Sequence, residues 1–178
     1  MRDRYLATPT FDQSITGAVN EALWRAVYRL ARAPEEYAAR VRALGGAWHL
    51  LVLSEVWCGD SVNTLPALAR LTEGAPNIDL RIIERDRNPD LMDTHLTNGS
   101  RSIPIVMVLD AHYVERGSWG PRPSVLQEWV MTEGTLIAKE ERYPKIRAWY
   151  ARDRGRSTLE EVVSLLEAAA GVEVTPHA

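Results

Sequence analysis

The chain is nearly without cysteine, because Cys58 is the only one among its 178 residues. A single thiol excludes an internal disulfide and argues against the disulfide-stabilised proteins of oxidising compartments. The sequence also lacks any apolar run near the roughly 20 residues that a membrane-spanning helix needs. Its N-terminal segment has no apolar stretch of the signal-peptide type. We therefore expect a cytoplasmic protein with no membrane partner.

The chain also lacks an excess of either charge. The 21 basic residues nearly balance the 24 acidic ones, which leaves a net charge of −3. A chain without a basic field is not expected to bind nucleic acid. The histidines are too scattered to match the spacing of metal ligands, so no metal site is predicted; they are His49, His95, His112 and His177.

Apolar patterns predict strands and helices in alternation after residue 47. The run 48–57 is almost continuously apolar, which is typical of a central strand that is covered on both faces. Such alternation predicts one α/β domain with a mixed sheet. The other predicted strands are 78–83, 103–109 and 113–119, and the predicted helices are 62–71, 88–96, 124–131 and 157–170.

The segment before these strands is predicted to be helical. Residues 13–44 form two helices in this interpretation, separated at Pro34, with a buried stripe made by Leu23, Val27 and Leu30. Trp24 lies on the flank of that stripe. The sequence thus divides into a helical extension over 1–46, an α/β domain over 47–172 and a tail over 173–178.

Residues 57–61, Trp-Cys-Gly-Asp-Ser, carry the chemistry that the sequence offers. A thiol in the first turn of a helix faces unpaired backbone N–H groups and the positive end of the helix dipole, which favour the thiolate. The thiolate is the species that attacks a disulfide. The alternative is that Cys58 is a small buried apolar residue, the usual fate of a lone cysteine.

The spacing of four landmarks favours the reactive interpretation, because together they resemble the thioredoxin superfamily. Trp57-Cys58-Gly59 matches the start of its Trp-Cys-Gly-x-Cys motif, and Pro66 lies eight residues after the cysteine. Pro104 follows the cysteine by 46 residues, near the place of the family's cis-proline, and Gly120 follows Pro104 by sixteen. The resemblance implies a thioredoxin fold, here with an N-terminal helical extension. Residues 97–104 and 119–123 are similar to those of a bacterial group that keeps Trp-Cys-Gly-Asp and a small residue.

The resemblance also implies which residues form the site. Cys58 and Ser61 are the implied catalytic pair, and the implied substrate-binding residues are Trp57, Gly59, Asp60, Ile103, Pro104, Trp119 and Gly120. Ser61 replaces the second cysteine of a thioredoxin, and Val52 replaces its buried acid.

Three neighbouring side chains, those of Trp119, Arg101 and Arg122, each have two interpretations. Trp119 is equally compatible with packing in a hairpin and with a groove wall. Arg101 and Arg122 are expected to be solvated loop residues, the alternative being that they bind the carboxylates of a small thiol.

The resulting hypothesis is a monothiol protein that performs thiol–disulfide exchange through Cys58. Its partner is a disulfide-bearing protein or a low-molecular-weight thiol, and an external thiol resolves the mixed disulfide. No cofactor is predicted besides glutathione or bacillithiol as co-substrate, and a second copy of the chain is a further candidate partner. The alternative is a redox-silent module that binds a peptide or protein in the same groove, or an adaptor that assembles through its N-terminal helices.

Overall fold

The computed structural model describes residues 1–172, and the tail 173–178 lies outside the described residues. Within that range a four-stranded sheet has the order β2-β1-β3-β4 and is flanked by helices. β1 pairs in parallel with β2 and antiparallel with β3, and β3 pairs antiparallel with β4. This is the mixed sheet that the sequence predicts. The strands are β1 (Trp48–Ser54), β2 (Ile78–Glu84), β3 (Ile105–Leu109) and β4 (Glu115–Trp119).

β1 is the central strand and separates two hydrophobic cores. Leu50 and Val52 point into a large core on one face of the sheet, whereas Leu51 and Leu53 point into a smaller core on the other. All four side chains are fully buried. Both faces of a strand with helices on each side must be apolar, which explains the nearly continuous hydrophobic run.

Four helices precede β1, where the sequence predicted two. They are α1 (Arg2–Ala7), α2 (Phe11–Ile15), α3 (Glu21–Leu30) and α4 (Glu35–Ala43). α3 and α4 match the predicted pair, and Pro34 lies just before α4. α1 was missed because six residues are too few to show a hydrophobic period, and the helix predicted from residue 13 did not show the break between α2 and α3. α2 nevertheless begins with a readable signal, a capping box between Thr10 and Gln13.

The predicted buried stripe of α3 is wrong in phase. Leu23 and Leu30 are 51% and 80% exposed, whereas Trp24 is only 1% exposed. The indole N–H of Trp24 donates to the Val56 carbonyl at 2.9 Å, and the ring packs on Phe11. The helix docks through its aromatic side because an indole buries more apolar area than a leucine and also finds a hydrogen-bond partner.

The helices after β1 complete the layers on the two faces of the sheet. The long helix α5 follows directly on Cys58 and continues through Pro66, and α9 packs on the same face of the sheet. The helical elements after β1 are α5 (Gly59–Gly74), α6 (Pro89–Asp93), α7 (Ser124–Met131), a 3-10 turn (Glu133–Leu136), α8 (Lys139–Asp153) and α9 (Arg156–Ala169).

α8 occupies a basic segment for which the apolar pattern of the sequence predicted no helix. It packs against α7 in a separate small core, where each helix contributes two residues spaced four apart. The single apolar pair that α8 contributes is too weak a pattern to stand out among its many charges. The four residues are Leu126, Val130, Ile146 and Tyr150.

Candidate functional site

Cys58 lies where the chain turns from β1 into α5. It is the N-cap residue of α5, with extended backbone angles (φ −76°, ψ 118°), and its carbonyl accepts the N–H of Val62 at 3.1 Å. Its side chain makes no capping hydrogen bond and is largely buried. The sulfur therefore lies at the amino end of a 16-residue helix, as predicted, although it makes no hydrogen bond to an N–H of the first turn.

The sulfur instead faces the segment before β3. Cys58 Sγ lies 3.5 Å from the carbonyl oxygen of Ile103, and the Ile103–Pro104 peptide bond is cis. The cis-proline segment that the resemblance placed at residue 104 therefore contacts the sulfur through the Ile103 carbonyl. A thiol can donate its proton to that oxygen, whereas a thiolate cannot.

Gly120 lies against the same segment. A Cβ at this position would lie 2.2 Å from the carbonyl oxygen of Pro104, and its φ of +134° belongs to a region that side chains disfavour. The pairing of Val106 with Trp119 places the two segments side by side. The structure therefore brings together Cys58, Ile103, Pro104 and Gly120.

The two tryptophans near the motif have opposite surroundings. Trp57 is 60% exposed, and the guanidinium of Arg85 lies 5.1 Å from its ring centroid. Trp119 is buried in the large core, where its indole N–H donates to the Glu161 carboxylate at 2.6 Å. Of its two interpretations, packing is the one that the structure shows. Trp57 is the tryptophan that presents an apolar surface to solvent beside Cys58.

Ser61 is fully buried in the first turn of α5. The Ser54 hydroxyl at the end of β1 donates to Ser61 Oγ at 2.8 Å. The hydrogen bond that the structure gives Ser61 thus goes to the strand rather than to Cys58. Val52, at the position of the thioredoxin acid, is also fully buried.

Asp60 belongs to a buried polar cluster that the sequence did not predict. Arg122 Nη2 donates to Asp60 Oδ2 at 2.5 Å, and the Tyr150 hydroxyl donates to Asp60 Oδ1 at 3.0 Å. The Asp60 and Arg122 side chains are only 12% and 18% exposed. Burial, and after it the charge of Asp60, raises the pKa of Tyr150, which therefore stays a neutral donor at neutral pH.

The expectation that Arg122 is solvated is wrong, because its side chain is mostly buried and pairs with Asp60. Arg122 lies between Pro121 and Pro123. Arg101 does lie at the surface, where it pairs with Asp93 at 2.7 Å. Charge alone could not separate the two arginines. The prolines on either side of Arg122 restrict its backbone but do not indicate where its side chain lies.

A cavity of about 310 Å³ lies apart from Cys58, between the N-terminal helices and the ends of β1 and β2. Its walls include Ile15, Trp24, Ser54 and Glu55. Among residues 1–172 no group of His, Cys, Asp and Glu side chains is arranged to hold a metal ion. No helix in the same range is long and apolar enough to span a membrane.

Comparison with known proteins agrees with this geometry. The family model described as thioredoxin matches residues 8–143, more than half of the chain. This chain belongs to the thioredoxin family. The match begins in the N-terminal helices and ends within α8, so this thioredoxin-family region is wider than the segment between β1 and β4.

Solved structures show the same thioredoxin-family fold. A Pseudomonas aeruginosa protein of unknown function has a TM-score of 0.73 and 22% identity, covering 93% of this chain and 95% of its own. An HIV epitope-scaffold has a TM-score of 0.73 and 21% identity, covering 94% and 97%. Identities this low show the fold alone. Comparison with curated proteins gives no match.

Proposed function

We propose that this thioredoxin-family protein performs thiol–disulfide exchange through Cys58, as a monothiol member of a bacterial Trp-Cys-Gly-Asp group. The observation that carries the proposal is the 3.5 Å contact between Cys58 Sγ and the Ile103 carbonyl. The ladder between β1 and β3 begins at Leu53 and Ile105, so the backbone of Ile103 lies just outside it. An extended substrate can pair with such backbone groups and thereby bring its disulfide to the sulfur.

The reaction consists of two exchanges. The Cys58 thiolate attacks one sulfur of a disulfide; a Cys58–substrate disulfide forms, the original S–S bond breaks, and the second sulfur leaves as a thiolate. An external thiolate then attacks the substrate sulfur of this mixed disulfide and releases Cys58 as a thiolate. Each exchange conserves the number of disulfides, and the reducing equivalents of the cycle come from the external thiol.

Because Ser61 stands where a thioredoxin has its second cysteine, the thiol that resolves the mixed disulfide must come from another molecule. With Cys58 as the only cysteine, the mixed disulfide has no intramolecular exit. Glutathione or bacillithiol would supply the resolving thiol in a reducing cytoplasm, where a lone thiol persists. The exposed indole of Trp57 would form part of the surface that meets the substrate.

The proposal is tested by oxidising the protein with glutathione disulfide near neutral pH and measuring intact mass. We expect one glutathione per wild-type chain and none on the Cys58→Ser variant. In the Ser61→Cys variant the adduct should be shorter-lived and give way to an internal disulfide.

The control is the same protein unfolded in urea, which has the same single thiol. If unfolded wild-type protein takes up glutathione and folded protein does not, Cys58 is inert in the fold. The exchange function would then be wrong, and the peptide-binding module would be the better hypothesis.

A further inference from the structure

Three side chains from separate parts of the chain meet beside the Cys58 motif. Asp60 lies in the first turn of α5, Arg122 precedes α7, and Tyr150 lies in α8. Arg122 and Tyr150 each donate to a different oxygen of the Asp60 carboxylate, at 2.5 and 3.0 Å. They lie 62 and 90 residues from Asp60 in sequence, so the cluster exists only in the folded protein.

The position of Asp60 matters for a thiolate. It is two residues after Cys58, at the same end of the same helix. A carboxylate there would oppose a second negative charge at the sulfur and would offset the helix dipole. The Arg122 guanidinium supplies the opposite charge in direct contact with that carboxylate.

Burial keeps this compensation from being screened. Asp60 and Arg122 are both mostly removed from water, whereas exposed ion pairs are weakened by solvent and salt. Arg122 is further fixed by a hydrogen bond from its Nη1 to Gln127, and its buried Nε has no partner among the described residues. The cation is therefore held at one place beside the motif.

The other charged groups near the motif are directed elsewhere. Arg85, after β2, stacks over Trp57, and its Nη1 donates to the Arg101 carbonyl. The Glu55 carboxylate accepts the Asp86 N–H at 2.9 Å. Tyr150 adds no charge, because it is a neutral phenol. Among residues 1–172, the Asp60–Arg122 pair is thus the ion pair at the first turn of α5.

We infer that Arg122 is a positioning residue for the thiol chemistry: it neutralises Asp60 and thereby permits a thiolate at Cys58. The inference rests on the proposed function for the use of that thiolate, but it concerns how readily the thiolate forms. It predicts that removing the two partners of one ion pair has opposite effects. The loss of Arg122 leaves an uncompensated anion near the sulfur, and the loss of the Asp60 charge leaves an uncompensated cation.

The test measures the rate at which iodoacetamide alkylates Cys58 near neutral pH, because only the thiolate reacts. We expect Arg122→Gln to slow alkylation by about threefold or more and Asp60→Asn to accelerate it by a similar factor. Arg122→Lys, which keeps the cation, should recover most of the rate. The ultraviolet absorbance of the thiolate, from spectra before and after alkylation, should change in the same directions. Arg101→Gln, at an exposed ion pair, is the matched control and should leave both unchanged.

A purely structural role gives a different result. If the cluster only holds α7 and α8 against α5, then Arg122→Gln and Asp60→Asn should both expose Cys58 and accelerate alkylation, which would overturn the inference. Should Arg122→Gln fail to fold, it is made in the Asp60→Asn background. Both side chains are then neutral, and alkylation must be slower than in Asp60→Asn alone.

The glutathione experiment keeps the two proposals apart. Opposite shifts in alkylation without a glutathione adduct would contradict the exchange function and leave the role of Arg122 intact. An adduct on Cys58 with shifts in the same direction, or none, would contradict the role of Arg122 alone.

Discussion

At the scale of single residues, Gly120 is the glycine at which an added Cβ would lie closest to a neighbouring atom. Its φ of +134° and the Pro104 carbonyl oxygen, which a Cβ would approach to 2.2 Å, both exclude a side chain. A backbone oxygen cannot move aside as the end of a flexible side chain can. The glycine thus permits the close approach of the loop after β4 to the segment that faces Cys58.

We expect Gly120→Ala to lower the free energy of unfolding by about 2 kcal/mol or more, because the backbone must shift to relieve the contact. Gly59→Ala is the matched control: it also changes a glycine of the site, but a Cβ there meets nothing within 4 Å. In the first turn of a helix, alanine should be neutral or stabilise by up to about 1 kcal/mol. Urea unfolding measures both; equal losses of stability would contradict the steric argument.

At the scale of elements, the turn between β3 and β4 is organised by one carboxylate. Asp110 accepts the backbone N–H groups of His112 and Val114 at 2.8 and 3.0 Å, and Arg116 donates to it at 2.7 Å. The hydrogen bond from the Val114 N–H, and after it the hydrogen bond from Arg116, lowers the pKa of Asp110 to about 2. The charged form of this side chain therefore stabilises the hairpin that carries Trp119 and leads to Gly120.

The sign of the pH dependence follows from this depressed pKa. The contribution of Asp110 is complete above the unfolded pKa of about 4 and is lost as the pH falls toward about 2. We expect Asp110→Ala to be less stable than wild type near neutral pH, with the difference shrinking between about pH 4 and pH 2. Urea unfolding across this pH range measures it. Asp3→Ala, at a fully exposed aspartate, should differ little from wild type throughout; a constant difference for Asp110→Ala would contradict the charge argument.

The segment from the loop before α7 to α8 supplies the hydrogen-bond partners of Asp60. The small core between α7 and α8 holds Tyr150, whose hydroxyl donates to Asp60 of α5. Arg122 enters from the loop just before α7. α8 and the loop before α7 thus supply two of the three members of the cluster beside Cys58.

At the scale of the whole molecule, α2, α3 and α4 share the large core of the sheet. Phe11, Trp24 and Val41 lie in the same cluster as Leu50 of β1 and Leu65 of α5. The hydrogen bond from Trp24 to Val56 reaches the segment just before Cys58. The predicted boundary at residue 46 stays a prediction, but the packing argues for one cooperative folding unit.

We expect Trp24→Leu to cost about 2–4 kcal/mol, since it removes buried ring atoms and the donor to Val56. Unfolding should remain a single transition, with circular dichroism and tryptophan fluorescence changing together. Leu23→Ala, on the exposed side of the same helix, should change the stability by less than about 0.5 kcal/mol. An early, separate transition in Trp24→Leu would show instead that the N-terminal helices unfold on their own.

The sequence by itself determined the sheet and the position of the thiol. The central strand shows in its apolar run, because a strand that is buried on both faces leaves no polar side. The landmarks at Cys58, Pro104 and Gly120 have fixed separations, and a fold of known connectivity converts those separations into proximity. The sequence thus sufficed where the fold that it resembles already sets which backbone segments are neighbours.

Only the tertiary structure decided the side-chain partners of the site. Which face of α3 is buried depends on what the helix packs against, so the period of its apolar residues was readable and its phase was not. The partners of Asp60 are 62 and 90 residues away and belong to segments with no strong pattern of their own. An ion pair leaves no periodic trace in a sequence, because any arginine can reach any aspartate once the fold brings them together.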